Sequence, residues 1–270
     1  MRLAGKPVTV QHKEVAGMLL YERSLSGGII ANFGSAGGPM RVNARYSGMI
    51  GALIFVFAAA CVAEGAGAQE ETVPLPDYRT EGQFAVERAL DGRRSVRDFR
   101  DTPLELETLS QLCWAMQGIS DEARQLRTAP SAGALYGLDT YVVVGSGEGI
   151  EPGLYRYEPG DHELVLQHSG DIRSAVASAA LGQLWIADAP VVFVIVGVPE
   201  RLESRYGERA ERYTTLEAGH AAQNLALQAV ALEMGTTMVG AFADSELRDI
   251  VGASHDHLPL YIIPVGHPDL

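Results

Sequence analysis

Arg93-Arg94-Ser95-Val96-Arg97 sets three guanidiniums and a hydroxyl side by side in a chain of 270 residues whose formal net charge is −13. Like charges this close repel one another unless something anionic sits among them or water screens them. Guanidinium forks match phosphate oxygens two at a time, and a serine adds one more donor. One reading is therefore a phosphate clamp opening the segment that follows. The other is a solvated basic turn, and these residues alone leave both open.

Two further stretches stand out when the chain is read outward from there. Arg127-Thr128-Ala129-Pro130-Ser131-Ala132-Gly133-Ala134-Leu135-Tyr136 is rich in small residues. Small side chains let backbone approach a flat ligand, and Ser131 could donate to it; a plain loop is the alternative. Gly219-His220-Ala221-Ala222-Gln223-Asn224 places polar groups inside an Ala/Leu-rich helical stretch. Hydrogen-bonded polar groups on a helix would also explain it.

In this order and at this spacing, the three stretches resemble the nitroreductase superfamily, and within it the SagB-like branch of thiazoline/oxazoline dehydrogenase-type proteins. The resemblance runs from Phe84 to Pro268. It also takes in Gly153-Leu154-Tyr155-Arg156-Tyr157, Leu181-Gly182-Gln183, Ala187-Asp188-Ala189-Pro190, Gly240-Ala241-Phe242 and Pro264-Val265-Gly266. It implies an α+β fold with a mixed central sheet flanked by helices, built as an intertwined homodimer that holds FMN at the subunit interface. Arg93, Arg94, Ser95 and Arg97 would then hold the phosphate, the ribityl chain and the N1/O2 edge. Pro130, Ser131, Ala132 and Gly133 would pack on the flavin from the partner subunit, and Met238 to Ala241, through Val239 and Gly240, would run past the ring near N5. Relatives often carry a cation near the chain end to help with phosphate, and here only His267 is available.

The implied activity is ping-pong hydride transfer through flavin N5, between NADH, NADPH or an organic donor and a small organic acceptor. Azoline dehydrogenases of the branch are thought to abstract protons with a Lys-Tyr pair, and this chain has no lysine after Lys13. Tyr206 and Tyr213 lie in the relevant region. Tyr213 is the one side chain offered as a catalytic candidate, with core packing as its alternative. Two other readings stay open: an azoline-type dehydrogenase acting on a peptide, and a flavin-binding protein without turnover that serves storage or a partner complex.

Hydrophobic periodicity assigns the elements. Gln83 to Leu90, Leu104 to Met116, Asp171 to Leu181 and Ser245 to Val251 read as helices, and Tyr213 to Met234 as a long one stopped by Gly235. The alanines Ala218, Ala221, Ala222, Ala226 and Ala229 on that long helix suit close packing against another helix, and this is taken as a dimer face. Thr140 to Val144, Thr236 to Phe242 and Leu258 to Val265 read as strands. Pro190 to Val198 reads as a strand buried on both faces. Gly153 to Tyr157 and Glu163 to Gln167 flank Pro159-Gly160-Asp161-His162, a hairpin signal.

Composition excludes other classes. The chain is 47% hydrophobic and 20% charged, which is globular rather than disordered. Its acidity offers no stripe for nucleic acid. His255-Asp256-His257 lacks further ligands at metal spacing, so no metal is expected. Val142 to Ile150 fails as a dinucleotide fingerprint, because Ile150 stands where glycine is needed and a strand follows. Of the two cysteines, Cys113 sits among Leu106, Leu109, Leu112 and Met116 at helical spacing and reads as a buried structural thiol.

Residues 40–68 read as a secretory signal: Arg41 and Arg45, the apolar run Met49 to Ala63, then Ala66-Gly67-Ala68 before Gln69. An uncleaved membrane anchor through residues 49–63 is the alternative. Residues 1–39 read as a misassigned start, with Met40 the natural one, or as a disordered extension. Residues 69–270 would form the flavin-binding domain, exported to the periplasm or medium.

Overall fold

Val191–Gly197 reads Val-Val-Phe-Val-Ile-Val-Gly, apolar at every position, so it can rest only where both faces of a sheet are covered. In the computed structural model it does. All of its residues are buried, with Val191, Phe193 and Ile195 entering one core and Val192, Val194 and Val196 the other. The two-residue period of a strand makes that division.

The structure describes residues 71–269 and, before them, three short strands, Tyr21–Arg23, Ile29–Ala31 and Met40–Val42, paired antiparallel in that order. Of the expected signal, Met40–Val42 form the third of these strands, while its apolar run and its cleavage site lie outside the described residues. Among the described residues, no helix is long and apolar enough to cross a membrane.

Glu70–Leu270 is a unit of its own. It opens with β1 (Thr72–Pro74), α1 (Val86–Gly92) and α2 (Leu106–Gln117). Strands β2 (Leu138–Val144), β3 (Gly153–Glu158) and β4 (Glu163–Ser169) follow, then α3 (Arg173–Ala179) and β5 (Val191–Gly197). Helices α4 (Glu200–Tyr206) and α5 (Ala210–Ala231), strand β6 (Gly235–Thr236), α6 (Asp244–Val251) and β7 (Leu258–Gly266) complete it. The sheet order is β6-β7-β5-β2-β3-β4-β1. Its strand pairings are all antiparallel. The mixed character expected of it reduces to one parallel bridge, Ser95 to Thr236, at the β6 edge.

Helices α2 and α5 cover one face, where Leu109, Leu112, Ala221 and Leu225 meet Phe193 and Ile263. Helices α3 and α6 cover the other, where Val176, Leu247 and Val251 meet Val194 and Ile262. Cys113 is fully buried in the first core, and burial pushes its thiol pKa up.

Three expectations change. The long helix ends at Ala231, and the left-handed turn that stops it belongs to Glu233 (φ 61°), with Met234 N–H reaching back to Ala229 O. Gly235 instead starts β6, and a Cβ there would stand 2.6 Å from Val96 Cγ1. The strand expected over Thr236 to Phe242 shrinks to Gly235–Thr236 plus a bridge from Val239 to Ile262, because the segment leaves the sheet edge. The α5 alanines are covered within the single chain by its own core, so they do not form a dimer face.

Candidate functional site

Helix α1 delivers the arginine cluster. Its last turn closes with Arg93 N–H donating to Ala89 O. Arg94 Nη1 donates to Asp91 O and Arg93 O, at 2.7 and 2.8 Å. A cation on the carbonyl end of a helix is favourable, so Arg94 fastens the turn. The chain then runs beside β6: Val96 N–H donates to Thr236 O, and Gly235 leaves room for the Val96 side chain. Three residues beyond Val96, Phe99 bridges Pro268, and Arg100 N–H donates to His267 O. Arg93–Arg97 and the half-buried His267 are thus held at one edge of the sheet although they come from opposite ends of the domain.

The segment Val239-Gly240-Ala241 reaches the same neighbourhood. Val239 is fixed by a reciprocal pair of backbone hydrogen bonds with Ile262 and is buried, while Gly240 and Ala241 are exposed. Gln183 Nε2 donates to Ala241 O at 3.3 Å, and two residues later Trp185 lies under the Arg97 guanidinium, 5.6 Å from the ring centroid. Gln183 and Trp185 therefore tie Ala241 to Arg97, a role the sequence reading did not give them. Among the described residues, the side chains of Arg93, Ser95 and Arg97 make no hydrogen bond or ion pair, whereas Arg124, Arg156, Arg173 and Arg201 are all paired with carboxylates.

Pro130, Ser131, Ala132 and Gly133 lie elsewhere, beside α4 and α5. Ser131 Oγ donates to Glu217 Oε2 at 2.6 Å and accepts from Tyr136 N–H at 2.9 Å. Gly133 (φ 65°) has a left-handed backbone that disfavours a side chain, and it lies against the ends of the Arg205 and Tyr206 side chains. Ala134 and Tyr136 are also left-handed, at φ 55° and 51°. Such residues are strained by roughly 1–3 kcal/mol each and persist where their surroundings over-determine them. Among the described residues, no hydrogen bond joins this loop to Arg93–Arg97.

Glu217 is the functional candidate that sequence reading missed. It lies on α5 in the stripe of Ala218, Ala221 and Leu225, is 1% exposed, and leaves Oε1 without a partner. Burial raises its carboxyl pKa, opposed by the hydrogen bonds from Ser131 and Gly137 and by the nearby Arg127 charge. An acid on the apolar stripe was the available signal. Tyr213 stacks edge-on with Tyr206 at 5.0 Å, and its hydroxyl accepts from Arg209 Nη1 at 3.4 Å. His220 is exposed on α5, with Gln223 and Asn224 half-buried. Among the described residues, no group of three or more His, Cys, Asp and Glu side chains could hold a metal ion.

The family model for the nitroreductase family matches residues 90–267. The chain is 42% identical over 194 residues to a candidate nitroreductase of Methanocaldococcus jannaschii, covering 72% of this chain and 95% of that protein. It is 28% identical over 205 residues to the trifolitoxin operon protein TfxC of Rhizobium leguminosarum bv. trifolii, covering 68% of this chain and 56% of that one. A crystal structure of a candidate nitroreductase from Ralstonia eutropha superposes with a TM-score of 0.66 at 28% identity, over 76% of this chain and 92% of that chain. The matched span holds the arginine cluster, both loops, the whole sheet from β2 to β7 and His267, and on that ground the chain belongs to the nitroreductase family.

Proposed function

We propose that this oxidoreductase is FMN-dependent and transfers hydride between a nicotinamide or organic donor and a small organic acceptor. The carrying observation is that Arg93, Ser95 and Arg97, whose side chains make no hydrogen bond or ion pair among the described residues, are held together with His267 and the Gly240-Ala241 backbone at one sheet edge, Arg97 lying over the Trp185 ring. In a chain of net charge −13, such a cluster fits a phosphate-bearing cofactor. FMN, when bound, supplies the two-electron chemistry by taking and giving hydride at N5. Arg93 and Arg97 would neutralise its phosphate and pyrimidine edge, with Ser95 and His267 adding donors. The exposed backbone at Gly240 and Ala241 would set the ring's position, held by the Val239–Ile262 pair and by Gln183. The Pro130–Gly133 loop makes no hydrogen bond to its own arginine cluster, which supports its serving the site of a second copy.

The similarity to TfxC favours the SagB-like branch of the family. Against a Lys-Tyr proton-abstraction pair stands the absence of lysine after Lys13. The flavin carries the electrons, so the protein's own task reduces to orientation and electrostatics.

The test is flavin content followed by reduction. Arg93→Ala and Arg97→Ala should each lose about tenfold to a hundredfold in FMN affinity, the range set by a charge-assisted hydrogen bond of roughly 1.5–3 kcal/mol. Arg97→Lys should recover only part, because an ammonium lacks the two-pronged fork. Wild-type protein should bleach anaerobically with NADH or NADPH. Full flavin content in both alanine variants would displace the phosphate site. Yellow protein that neither nicotinamide bleaches would favour a flavin carrier without nicotinamide turnover.

A further inference from the structure

Residues 72–79 run as a strap from the sheet edge across α2. The strap begins as β1, paired with β4, and Leu75 N–H then donates to His162 O in the β3–β4 turn. Next, Pro76 O accepts from Ser110 Oγ, and the Tyr78 ring stacks on Trp114 at 4.9 Å. Arg79 N–H donates to Gln111 Oε1 at 2.8 Å, and Gln111 Nε2 donates to Arg79 O at 3.0 Å. From there the chain leads into α1 and the arginine cluster.

The middle of this strap converges on one imidazole. His162 Nε2 lies 2.8 Å from Ser110 Oγ and 3.2 Å from Pro76 O, and its Nδ1 lies 2.9 Å from Tyr157 Oη. The Tyr78 ring meets it edge-on at 4.9 Å. The hydrogens follow by elimination. Pro76 O carries none, so the hydrogen between it and Ser110 Oγ, 2.5 Å away, belongs to the serine. Ser110 therefore offers the ring only a lone pair, and Nε2 must carry a hydrogen. In the neutral imidazole Nδ1 is then bare and accepts from the Tyr157 hydroxyl, which keeps its hydrogen because burial pushes its pKa up. Neutral His162 thus satisfies every member of the chain. A proton added at Nδ1 would point at Tyr157 Oη and force the tyrosine hydrogen away. Tyr157 is 3% exposed, and its hydroxyl has no other partner among the described residues.

The groups that face His162 decide how readily it takes that proton. Asp77 and Tyr78 come from the strap and Tyr157 from β3, Cys113 of α2 lies beyond Tyr157, and Asp161 and Glu163 flank the histidine in its turn. Burial lowers the His162 pKa and outweighs the Asp77 carboxylate, which favours the charged ring.

We propose that residues 72–79 form an acid-sensitive strap, latched by neutral His162 and loosened when Nδ1 takes a proton. The Gln111 and Trp114 contacts set its resting strength, and His162 sets its pH dependence. With the strap open, His162 meets water and regains an ordinary pKa of about 6.5. The latched form binds the proton less readily, so latching is strongest above that value and weakens as pH falls toward the lower pKa of the latched state. None of these residues belongs to the flavin set, so the strap does not depend on the proposed cofactor chemistry.

The experiment is hydrogen exchange of the full chain, read by mass spectrometry between about pH 8 and pH 5.5 and corrected for intrinsic exchange rates. Protection of residues 72–79 should fall about fivefold or more across that range, while the β5 peptide keeps its protection. His162→Asn carries a side chain that does not titrate and tolerates the left-handed backbone at this position (φ 50°). It should loosen the strap at every pH and remove the pH dependence. Histidine-selective NMR of the wild-type chain tests the same idea without a variant: the His162 ring should carry its hydrogen on Nε2 near neutral pH and titrate below the ordinary value. Strap protection that holds constant with pH would overturn the proposal. So would a fall shared equally by β5, a fall of the same size in His162→Asn, or a wild-type ring with its hydrogen on Nδ1.

Discussion

Ser131 and Glu217 show how much rests on single side chains. Ser131 Oγ sits between Tyr136 N–H and the Glu217 carboxylate, so one hydroxyl ties a strained loop to α5. Ser131→Ala would leave the Tyr136 N–H without a partner and Glu217 Oε2 with only the longer Gly137 N–H bond at 3.4 Å, destabilising the protein by about 1–3 kcal/mol; chemical denaturation measures it. Glu217 adds a pH dependence whose sign follows from burial. Its pKa is raised in the folded state above the unfolded value, so the folded chain holds the proton more tightly. That contribution to stability is fully present below the unfolded carboxyl pKa and is lost as pH rises through the folded one. Melting temperatures across this window should fall less steeply with rising pH in Glu217→Gln than in wild type. Parallel curves for the two proteins would show that Glu217 does not titrate there. At this scale the sequence was only partly legible. The arginine cluster was conspicuous because like charges seldom sit together without cause. Glu217 was not singled out, because its neighbours in space, Ser131 and Gly137, lie far away in sequence.

At the scale of elements, two-residue alternation and continuous apolar runs located β2, β5 and β7, because burial on one or both faces writes itself directly into residue type. The same signal could not find β1, whose three residues include Pro74 and pair only along an edge. It also misread Gly235. A glycine after a long helix usually supplies the left-handed stop, yet Glu233 takes that conformation and Gly235 is small for another reason: Val96 crosses it. This contact links sheet edge to site. Gly235→Ala should force Val96 away from β6 and carry the Arg93–Arg97 segment with it. The expected outcome is overpacking of about 1–3 kcal/mol together with reduced FMN content. Phe193→Ala, in the middle of β5 and remote from that edge, should be destabilised by about 3–5 kcal/mol through its cavity. It should still bind FMN at temperatures where it is folded. Comparing flavin content with stability in the two variants separates displacement of the site from loss of core.

For the whole molecule, the question is where a second copy would sit. The α5 alanines cannot answer it, since the chain's own core already covers them. The apolar surface that stays open includes Val86 at 63% and Leu90 at 54% exposure on α1, with Leu216 at 53% on α5. Beside Val86, Phe84, Trp114, Ala115 and Leu227 line a groove. Exposed apolar clusters of this kind mark association surfaces, and α1 leads straight into Arg93. A partner docked on α1 would therefore arrive next to the arginine cluster. That is where a Pro130–Gly133 loop from another subunit would be needed if the flavin is shared. Light scattering of the wild-type chain should give twice the protomer mass. Val86→Glu combined with Leu90→Glu places charges on the open face of α1 without touching the core, so the fold should persist by circular dichroism. The mass should drop to that of one chain, and FMN should be lost with it, because half of its contacts would come from the partner. A double variant that stays dimeric would move the interface off α1. A monomer that keeps its flavin would show that one chain suffices to hold the cofactor, and the shared site would have to be abandoned.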